Sequence, residues 1–436
     1  MFICSYQKTM LRRFSLTRLR TNRTLQVGST RQVSEFDNPT DFITHCPSLA
    51  ERFPFHLDAF LYKSPPNPEQ AASCHKKFCD LLHEETGARV WTTREVLHQL
   101  SKPQLRNLVI DSSNCKFKVV PGLNVDKIQN KMMREYFNYS LSRLNKDHLI
   151  DLLFLHPSVT ITVDNSSTGF SVTEMPVSPL SNLVFTRDQQ ITTAKGVIIG
   201  RLAAPQRKFE NFLMEAVWRQ LGITPYARIN EPGVLEGGDF IPIGPDLALL
   251  GVGQRTNFSA ARQLLREDLI GTRRVVVVED IRDDSKNTTH LDTIFSPIDK
   301  NICICLDKVA QDDPRFLRIA HEYVRKGPVY VEEVQMPFGK WLRNEGYTVV
   351  MATLEQQNAK FISNLNLGRD VYGKSKILSI HPDVESTLKR HGFEGTVLYT
   401  DFSPLIAMYG GVHSTTQVMR AADTYMSFKK RNREEQ

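Results

Sequence analysis

The sequence predicts a mixed α/β protein, and two observations carry that prediction. In the second half of its 436 residues, apolar runs typical of strands recur in the order strand, strand, helix, strand. In the first half, the pattern up to about residue 151 is mostly helical. The recurrence fits α/β units arranged around a centre as well as a doubly wound sheet, so periodicity alone leaves both architectures open.

Helices predominate in the first half of the chain. Pro68 stands at the first position of a helix predicted over residues 68–83, where the missing amide proton is not needed. Residues 94–151 are also predicted to be largely helical, with Pro103 and Pro121 interrupting the pattern.

Strands and amphipathic helices alternate after this block. Pro205 is predicted to start a helix whose apolar face includes Phe209, Leu213 and Val217, and a second helix is predicted at Ser259–Leu269. The predicted strands are Ser158–Val163, Asn182–Asp188, Val197–Leu202, Leu247–Val252, Arg274–Glu279, Thr293–Pro297 and Ile302–Leu306.

The formal net charge of +7 lies in the first 34 residues, which hold seven Lys and Arg and no acid. The remainder carries 48 charges of each sign, so a nucleic-acid partner is not expected. An acid-free leader rich in Arg, Ser and Leu is typical of an organelle presequence, which predicts a mitochondrion or related organelle. A basic tail on a cytoplasmic protein, or an upstream start with Met10 as initiator, are the alternatives. No apolar run approaches the roughly 20 residues of a membrane span.

The seven cysteines are odd in number and irregularly spaced, which favours free thiols in a reducing compartment. Cys74, His75 and Cys79 have the residue types of metal ligands. We interpret them as part of one helix surface, because no second ligand pair accompanies them.

Four short polar segments adjoin apolar stretches, next to Gly or a turn. They are Asn182-Leu-Val-Phe-Thr-Arg-Asp188, Leu235-Glu-Gly-Gly-Asp239, His290-Leu-Asp-Thr293 and Gly410-Gly-Val-His-Ser-Thr-Thr416. Side chains at strand ends converge on a site while the strands hold them rigid. Singly, each segment has a plainer explanation: a strand end with an ion pair, a capped turn, a buried His–Asp pair on one strand face, or a Gly-rich loop.

Together and in this order, the four segments resemble the arginine deiminase family, within the guanidino-group-modifying superfamily. The resemblance covers roughly residues 55–425 and includes the helical stretch 94–151, which is similar to that family's inserted helical bundle. It implies a five-bladed α/β propeller of pseudo-fivefold ββαβ units, with the active site on its axis. The chain then divides into a basic leader at 1–34, the propeller at 35–428 and a charged tail at 429–436.

The resemblance also implies a reaction, in which L-arginine and water give L-citrulline and ammonia with no metal or organic cofactor. Asp188 and Asp292 would bind the substrate guanidinium, because two carboxylates around a planar cation fix its plane and leave one face open to attack. Glu236 would orient the substrate beside His290. His290 would be the general acid and base that protonates departing ammonia and then activates water.

A substrate-binding set follows from the same resemblance. Arg207 and Arg255 match the arginines that hold the carboxylate of the amino acid. The other members, which line the pocket or let the last loop approach closely, are Asn182, Phe185, Asp239, Gly410, Gly411 and His413.

The sequence departs from the family pattern at the nucleophile. The family has a Cys after the His of the last motif, but here Ser414 follows His413, and no Cys occurs after Cys305. A hydroxyl is far less acidic than a thiol and needs a base beside it. If His290 served as that base, the acid for ammonia departure would be unassigned. We therefore expect Ser414 to impair turnover severely.

Two further departures concern the substrate and the first blade. Tyr409 stands where family members often carry an Arg that contacts the carboxylate, and residues 35–54 match the family's first blade poorly.

Three functions stay open on this basis. The first is an arginine deiminase impaired by Ser414, and the second is an inactive paralogue that binds arginine or a guanidino group as a sensor or partner subunit. The third is a hydrolase of agmatine or peptidyl arginine, which would leave Arg207 and Arg255 with no carboxylate to hold. Retention of the other catalytic residues favours the first. The expected partner is a small guanidino compound, and a homo-oligomer is compatible with the sequence.

Overall fold

A computed structural model describes residues 31–47, 57–112, 116–119, 127–163, 170–174, 176–281 and 288–421. Most of the predicted leader, the charged tail, Cys4 and Cys115 lie outside these ranges. Within them the other five cysteines are free thiols. No helix in these ranges has the length and apolar character needed to cross a bilayer.

The strands are numbered in chain order. They are β1 (Pro39–Thr44), β2 (Arg89–Thr92), β3 (Lys116–Val119), β4 (Thr160–Val163), β5 (Phe170–Glu174), β6 (Gln190–Thr192), β7 (Val197–Ile199), β8 (Ala227–Arg228), β9 (Phe240–Pro242), β10 (Leu247–Val252), β11 (Arg274–Asp280), β12 (Phe295–Asp299), β13 (Ile302–Leu306), β14 (Arg318–Lys326), β15 (Val329–Pro337), β16 (Thr348–Ala352), β17 (Asn364–Arg369), β18 (Ser375–Ser379), β19 (Thr396–Tyr399) and β20 (Gln417–Arg420).

The α-helices are numbered in the same way. They are α1 (Leu57–Phe60), α2 (Pro68–Thr86), α3 (Thr93–His98), α4 (Lys102–Ser112), α5 (Lys127–Ser142), α6 (Lys146–Leu155), α7 (Lys208–Gln220), α8 (Phe258–Arg266), α9 (Asp307–Ala310), α10 (Phe338–Asn344), α11 (Leu354–Asn358), α12 (Val384–Arg390) and α13 (Ser403–Ile406). Among the described residues, 3-10 turns lie at Pro205–Arg207, Gly237–Asp239 and Leu291–Thr293.

Five of the described sheets contain the same unit. In each, an antiparallel strand pair is followed by a helix and then by a third strand parallel to the second. The units are β6-β7-α7-β8, β9-β10-α8-β11, β12-β13-α10-β16, β17-β18-α12-β19 and β20-β1-α2-β2. The recurring strand, strand, helix, strand order is confirmed, and the architecture is a five-bladed α/β propeller.

The last unit closes the ring by joining the two ends of the propeller. β1 pairs antiparallel with β20, with Phe42 opposite Val418, and parallel with β2. The hydroxyl of Thr40 also donates to the carbonyl of Met419 at 3.2 Å. Residues 39–44, which match the family's first blade poorly in sequence, are therefore the central strand of this unit.

The predicted helical stretch between β2 and β6 consists of α3, α4, α5 and α6, with a small sheet of β3, β4 and β5 beside them. Its apolar side chains form one cluster with the inner face of α7, where Trp218 is fully buried. A second addition is the hairpin of β14 and β15, which pairs with β11 and widens that sheet to five strands.

The strand predicted at Asn182–Asp188 is wrong, and so is the plainer explanation of His290 and Asp292 as a pair on one strand face. Residues 182–188 form turns, with the amides of Phe185 and Asp188 donating to carbonyls three residues earlier. The apolar run there is buried in the core, and a short buried apolar run does not by itself distinguish a strand from a turn. His290 and Asp292 do not share a strand face, because a 3-10 turn runs from Leu291 to Thr293.

Cys74, His75 and Cys79 lie on one helix, α2, as predicted, although His75 is buried.

Candidate active site

The four motif segments all occupy the same place in their units, immediately before the first strand. Backbone and side-chain hydrogen bonds link each segment to the next around the centre of the ring. Gly237 N donates to Asp188 O at 3.1 Å, and Leu291 N donates to the Asp239 carboxylate at 2.9 Å. His413 Nδ1 lies 2.9 Å from Asp292 Oδ2. The circle closes where Arg187 N donates to Ser414 O at 3.2 Å.

Asp188 and Asp292 are buried, and each has one committed and one uncommitted carboxylate oxygen. Oδ2 of Asp188 accepts from Arg207 NH1 at 2.7 Å, and Oδ2 of Asp292 bonds to His413. In the described part of the chain, Oδ1 of each aspartate has no hydrogen-bond partner. Buried carboxylate oxygens are nearly always satisfied, so this pair of unfilled acceptors marks a place for a donor-rich cation.

Glu236 and His290 form a close ion pair at 2.8 Å between Oε2 and Nε2. Oε1 of Glu236 accepts from the amide of Ala203 at 2.8 Å. Burial alone lowers the pKa of His290, but the hydrogen bond that it donates to Glu236 and the charges of Asp188 and Asp239 raise it to about 10. Burial raises the pKa of Glu236, and the pairing with His290 outweighs it, so the net shift is downward. His290 is therefore an imidazolium at neutral pH.

His413, directly before Ser414, lies between two buried carboxylates. Its Nδ1 bonds to Asp292, and its Nε2 lies 3.7 Å from Oε1 of Glu35. Burial and the charge of Arg187 lower the pKa of His413. Asp292 and Glu35 raise it by more, so the net shift is upward. Burial raises the pKa of Asp292, but the bond to His413 together with the charges of His413, His290 and Arg187 lowers it, and the net shift is downward. The two carboxylates thus favour the protonated form of the imidazole that directly precedes Ser414 in the chain.

Sequence reasoning missed a buried charged cluster that contacts His413. Its members are Glu35, Arg187 and Arg420. Glu35 is buried, with its two oxygens 3.3 Å from Arg187 NH1 and 3.2 Å from Arg420 NH2. Arg187 Nε also donates to the carbonyl of His413 at 3.2 Å. Arg187 belongs to the first motif and could have been noticed there, whereas Glu35 stands in no motif.

The structure places the two predicted carboxylate-binding arginines differently. Arg207 is buried, and its Nε, NH1 and NH2 atoms bond to Glu210, Asp188 and the Asn182 carbonyl. Arg255 is about one-fifth exposed, and its NH1 lies 3.8 Å from Glu236. Of these two side chains, only that of Arg255 is partly exposed to solvent.

Phe185 and Gly410 meet in close contact at the edge of the site. A Cβ on Gly410 would lie 1.9 Å from Cε1 of Phe185, so only glycine fits. Gly411 packs in the same way against the side chain of Ser363. Asn182 donates through Nδ2 to the carbonyl of Phe60 at 2.8 Å, which fixes the first motif at its other end.

Asp239 ties two motif segments together from a buried position. It accepts from the Thr256 hydroxyl at 2.6 Å and from the amide of Leu291. Burial raises the pKa of Asp239 to about 7 against the lowering effect of His290. Gly238 leaves room for both neighbours, since a Cβ there would lie 3.0 Å from the His290 ring and 3.2 Å from Asp292 Oδ1.

Ser414 is half-buried, and its carbonyl is held by Arg187. Across residues 31–47, 57–112 and the later described ranges, no side chain forms a hydrogen bond with its Oγ. The imidazoles of His290 and His413 are committed to Glu236 and Asp292. Ser414 thus occupies the predicted nucleophile position without a base.

Asp188, Glu236 and His290 offer donor atoms within 4.8 Å of one another, a spacing that a metal ion could bridge. Nε2 of His290 and Oε2 of Glu236 are used in their mutual bond, and Oδ2 of Asp188 is used by Arg207. The three charges thus already have counter-charges within the protein.

Known proteins with similar sequence or fold were compared with this chain. An arginine deiminase of Staphylococcus aureus (strain JH9) is 25% identical over 264 residues, which are 58% of this chain and 62% of that protein. The match therefore spans less than two thirds of that relative's length.

Among solved structures, SxtG, an amidinotransferase of Microseira wollei, superposes with a TM-score of 0.50 at 13% identity, over 91% of this chain and 99% of its own. A dimethylarginine dimethylaminohydrolase of Pseudomonas aeruginosa gives a TM-score of 0.47 at 14% identity, over 88% of this chain and 100% of its own. The amidinotransferase has the same fold as this chain.

The sequence model of the family described as arginine deiminase matches residues 58–420. That range includes all four motif segments and every strand of the five units except β1. Because the match covers most of the chain, the protein belongs to the arginine deiminase family.

Proposed function

We propose that this protein binds L-arginine and is an arginine deiminase-type hydrolase whose turnover is limited by Ser414. The observation that carries the proposal is the pair of buried carboxylates, Asp188 and Asp292, each with one oxygen left without a donor. A guanidinium offers N–H groups in a plane, and two carboxylates can satisfy it from two sides. Phe185, which is buried beside Gly410, would line the pocket, and one face of that plane would stay open to attack.

His290 supplies the proton chemistry in this proposal. The deprotonated nucleophile at position 414 first bonds to the guanidinium carbon. Since the pKa of His290 is raised to about 10, His290 enters as an acid and protonates the departing ammonia when the carbon–nitrogen bond breaks. The neutral imidazole then takes one proton from water, whose oxygen bonds to that carbon. The nucleophile leaves as an anion, and the product oxygen releases its remaining proton to solvent. Glu236 holds the imidazole through Nε2 in both steps.

Ser414 is the weak point of the site. A thiol at this position ionises far more readily than a hydroxyl, and the upward shift of the pKa of the preceding His413 favours positive charge near it. The first step needs an anionic nucleophile or a base, and the described part of the chain places no base at Ser414 Oγ. We therefore expect ligand binding to be strong and turnover to be slow.

A second candidate function rests on the lack of a base at Ser414. With Asp188, Glu236, His290 and Asp292 in contact and Ser414 without a base, the site suits a protein that binds arginine without converting it. Such a protein would act as an arginine sensor or as the partner of an active subunit.

One assay separates the two candidates. Citrulline and ammonia release from L-arginine is measured for the unchanged protein, for Ser414→Cys and for Ser414→Ala as the matched control. We expect Ser414→Cys to raise turnover on the order of 10³-fold or more over both others. Arginine binding by all three proteins with no gain in Ser414→Cys favours the binding protein. Absence of arginine binding in the unchanged protein overturns both.

A further inference from the structure

The propeller has five units, but the motifs come from only four of them. In the unit of β17, β18 and β19, the equivalent segment before the first strand is residues 359–363. It enters the same centre, because Ser363 packs directly against Gly411, with 2.7 Å between its Cβ and a Cβ placed on that glycine. This fifth segment carries one charged side chain, Lys360.

Lys360 is held in place by a tightly bonded turn. Its amide donates to Gln357 O at 2.9 Å, and Ser363 N donates to Lys360 O at 3.1 Å, while the neighbouring Phe361 is fully buried. Gln357 in turn donates to the carbonyl of Thr293, one residue after Asp292, at 3.3 Å. The turn is thus fixed to the segment that holds one of the two guanidinium-binding carboxylates.

Lys63 approaches from a second loop at the same rim. The amides of Lys63 and Ser64 both donate to the carbonyl of Ala407, at 2.9 and 3.1 Å, just before the Gly410 loop. Six described non-glycine residues have positive φ, and three of them lie on these loops: Leu61, Lys360 and Tyr409. A positive φ costs a non-glycine residue free energy, and such backbone conformations concentrate at sites that bind ligands.

Lys360 and Lys63 have no direct ion-pair partner among the described residues. In the described part of the chain, neither ammonium has a carboxylate within ion-pair distance, although Lys360 is half-buried. Burial lowers the pKa of Lys360 to about 8, with Asp292 acting to raise it and Lys63 to lower it. Two cations that lie near each other beside the Gly410 loop and form no ion pair stabilise an anion that binds between them.

We propose that Lys360, assisted by Lys63, binds the anionic end of the guanidino ligand, and so selects ligands that carry a carboxylate. The assignment rests on the proposed function, since it takes the guanidinium to lie between Asp188 and Asp292. Arg207 is then a positioning residue, because Glu210, Asp188 and the Asn182 carbonyl already use its guanidinium. Lys360 then takes the carboxylate-binding role that the family resemblance implies for Arg207.

The test compares two ligands that differ only in the carboxylate, L-arginine and L-argininamide. Their dissociation constants are measured by calorimetry for the unchanged protein, for Lys360→Met and for Lys340→Met, a control at an exposed lysine on α10. We expect Lys360→Met to weaken L-arginine binding about 10-fold or more and to change L-argininamide binding less than about threefold. Lys340→Met should change neither.

The following outcomes decide against the assignment. Equal weakening of both ligands by Lys360→Met, or no weakening of L-arginine, overturns the role of Lys360 while leaving the proposed function intact. Failure of the unchanged protein to bind either ligand overturns the proposed function and this assignment together. If Lys360→Met does not fold, Lys360→Arg must retain the preference for L-arginine and Lys63→Met must reduce it; the opposite result in either overturns the assignment.

Discussion

Nε2 of His290 lies 2.8 Å from Oε2 of Glu236, although the two residues come from different units of the propeller. The pair is almost enclosed, with Glu236 fully buried and the His290 side chain 12% exposed. An ion pair in such a place holds both groups in their charged forms. In the proposed reaction, the histidine would thereby be an acid when ammonia leaves.

The pair should make stability depend on pH in the alkaline range. The pKa of His290 is raised from 6.5 to about 10, so its contribution is fully present below about pH 6.5 and is lost as pH rises towards 10. We expect the melting temperature of the protein to fall more steeply over this range than that of His290→Gln. Differential scanning calorimetry from pH 6.5 to 10 measures both. Parallel curves for the two proteins would show that the pair does not shift the titration of His290.

Replacement of Asp188 or Asp292 by Asn should weaken arginine binding while leaving the fold intact. Asn keeps an oxygen for Arg207 or His413, but it removes the negative charge that a guanidinium needs. We expect the dissociation constant to rise about 10- to 100-fold for each variant, measured by calorimetry. Asp383→Asn, at an exposed position, is the control. Unchanged affinity in either site variant would place the guanidinium elsewhere.

Gly410→Ala should disturb the pocket at Phe185. The added Cβ would lie 1.9 Å from the phenyl ring, so the ring or the loop must move, and we expect a loss of about 1–3 kcal/mol in the free energy of unfolding. Gly244→Ala is the matched control, because nothing lies within 4 Å of a Cβ there. It should change stability by less than about 1 kcal/mol. Urea denaturation measures both, and equal effects would contradict the contact.

Glu35→Gln should destabilise the base of the site. Glu35 is the shared counter-charge of Arg187, Arg420 and His413, all buried, so its loss leaves positive charge without compensation. We expect a cost of about 3–5 kcal/mol in urea denaturation. Glu394→Gln removes an 81% exposed partner of Lys374 and should cost less than about 1 kcal/mol. A similar small cost for Glu35→Gln would mean that water reaches the cluster.

Much of the ring could be predicted from the sequence because its strands are short, apolar and regularly spaced. The predicted bounds of β10 and β13 agree with the structure at both ends. The strand predicted at 182–188 is wrong because Leu183, Val184 and Phe185 are buried from every direction, a state in which turns and strands have the same apolar composition.

The candidate site was only partly accessible to sequence reasoning. Asp188, Glu236, Asp292 and His413 stand in motifs whose order reflects the order of the units. Glu35 could not be predicted, because its role depends on a contact with His413 far along the chain. Lys360 stands in no motif, and only the positions of the strands show that its segment is equivalent to the other four.

The pairing of β1 with β20 also has a consequence for synthesis of the chain. Thr40 emerges from the ribosome long before Met419, its hydrogen-bond partner across 379 positions, has been translated. Until then β1 has a free edge that can pair with other chains, and the nascent protein depends on protection from aggregation. Premature termination before Gln417 would make that exposure permanent and would also free the loop that carries Ser414 from its anchoring strand.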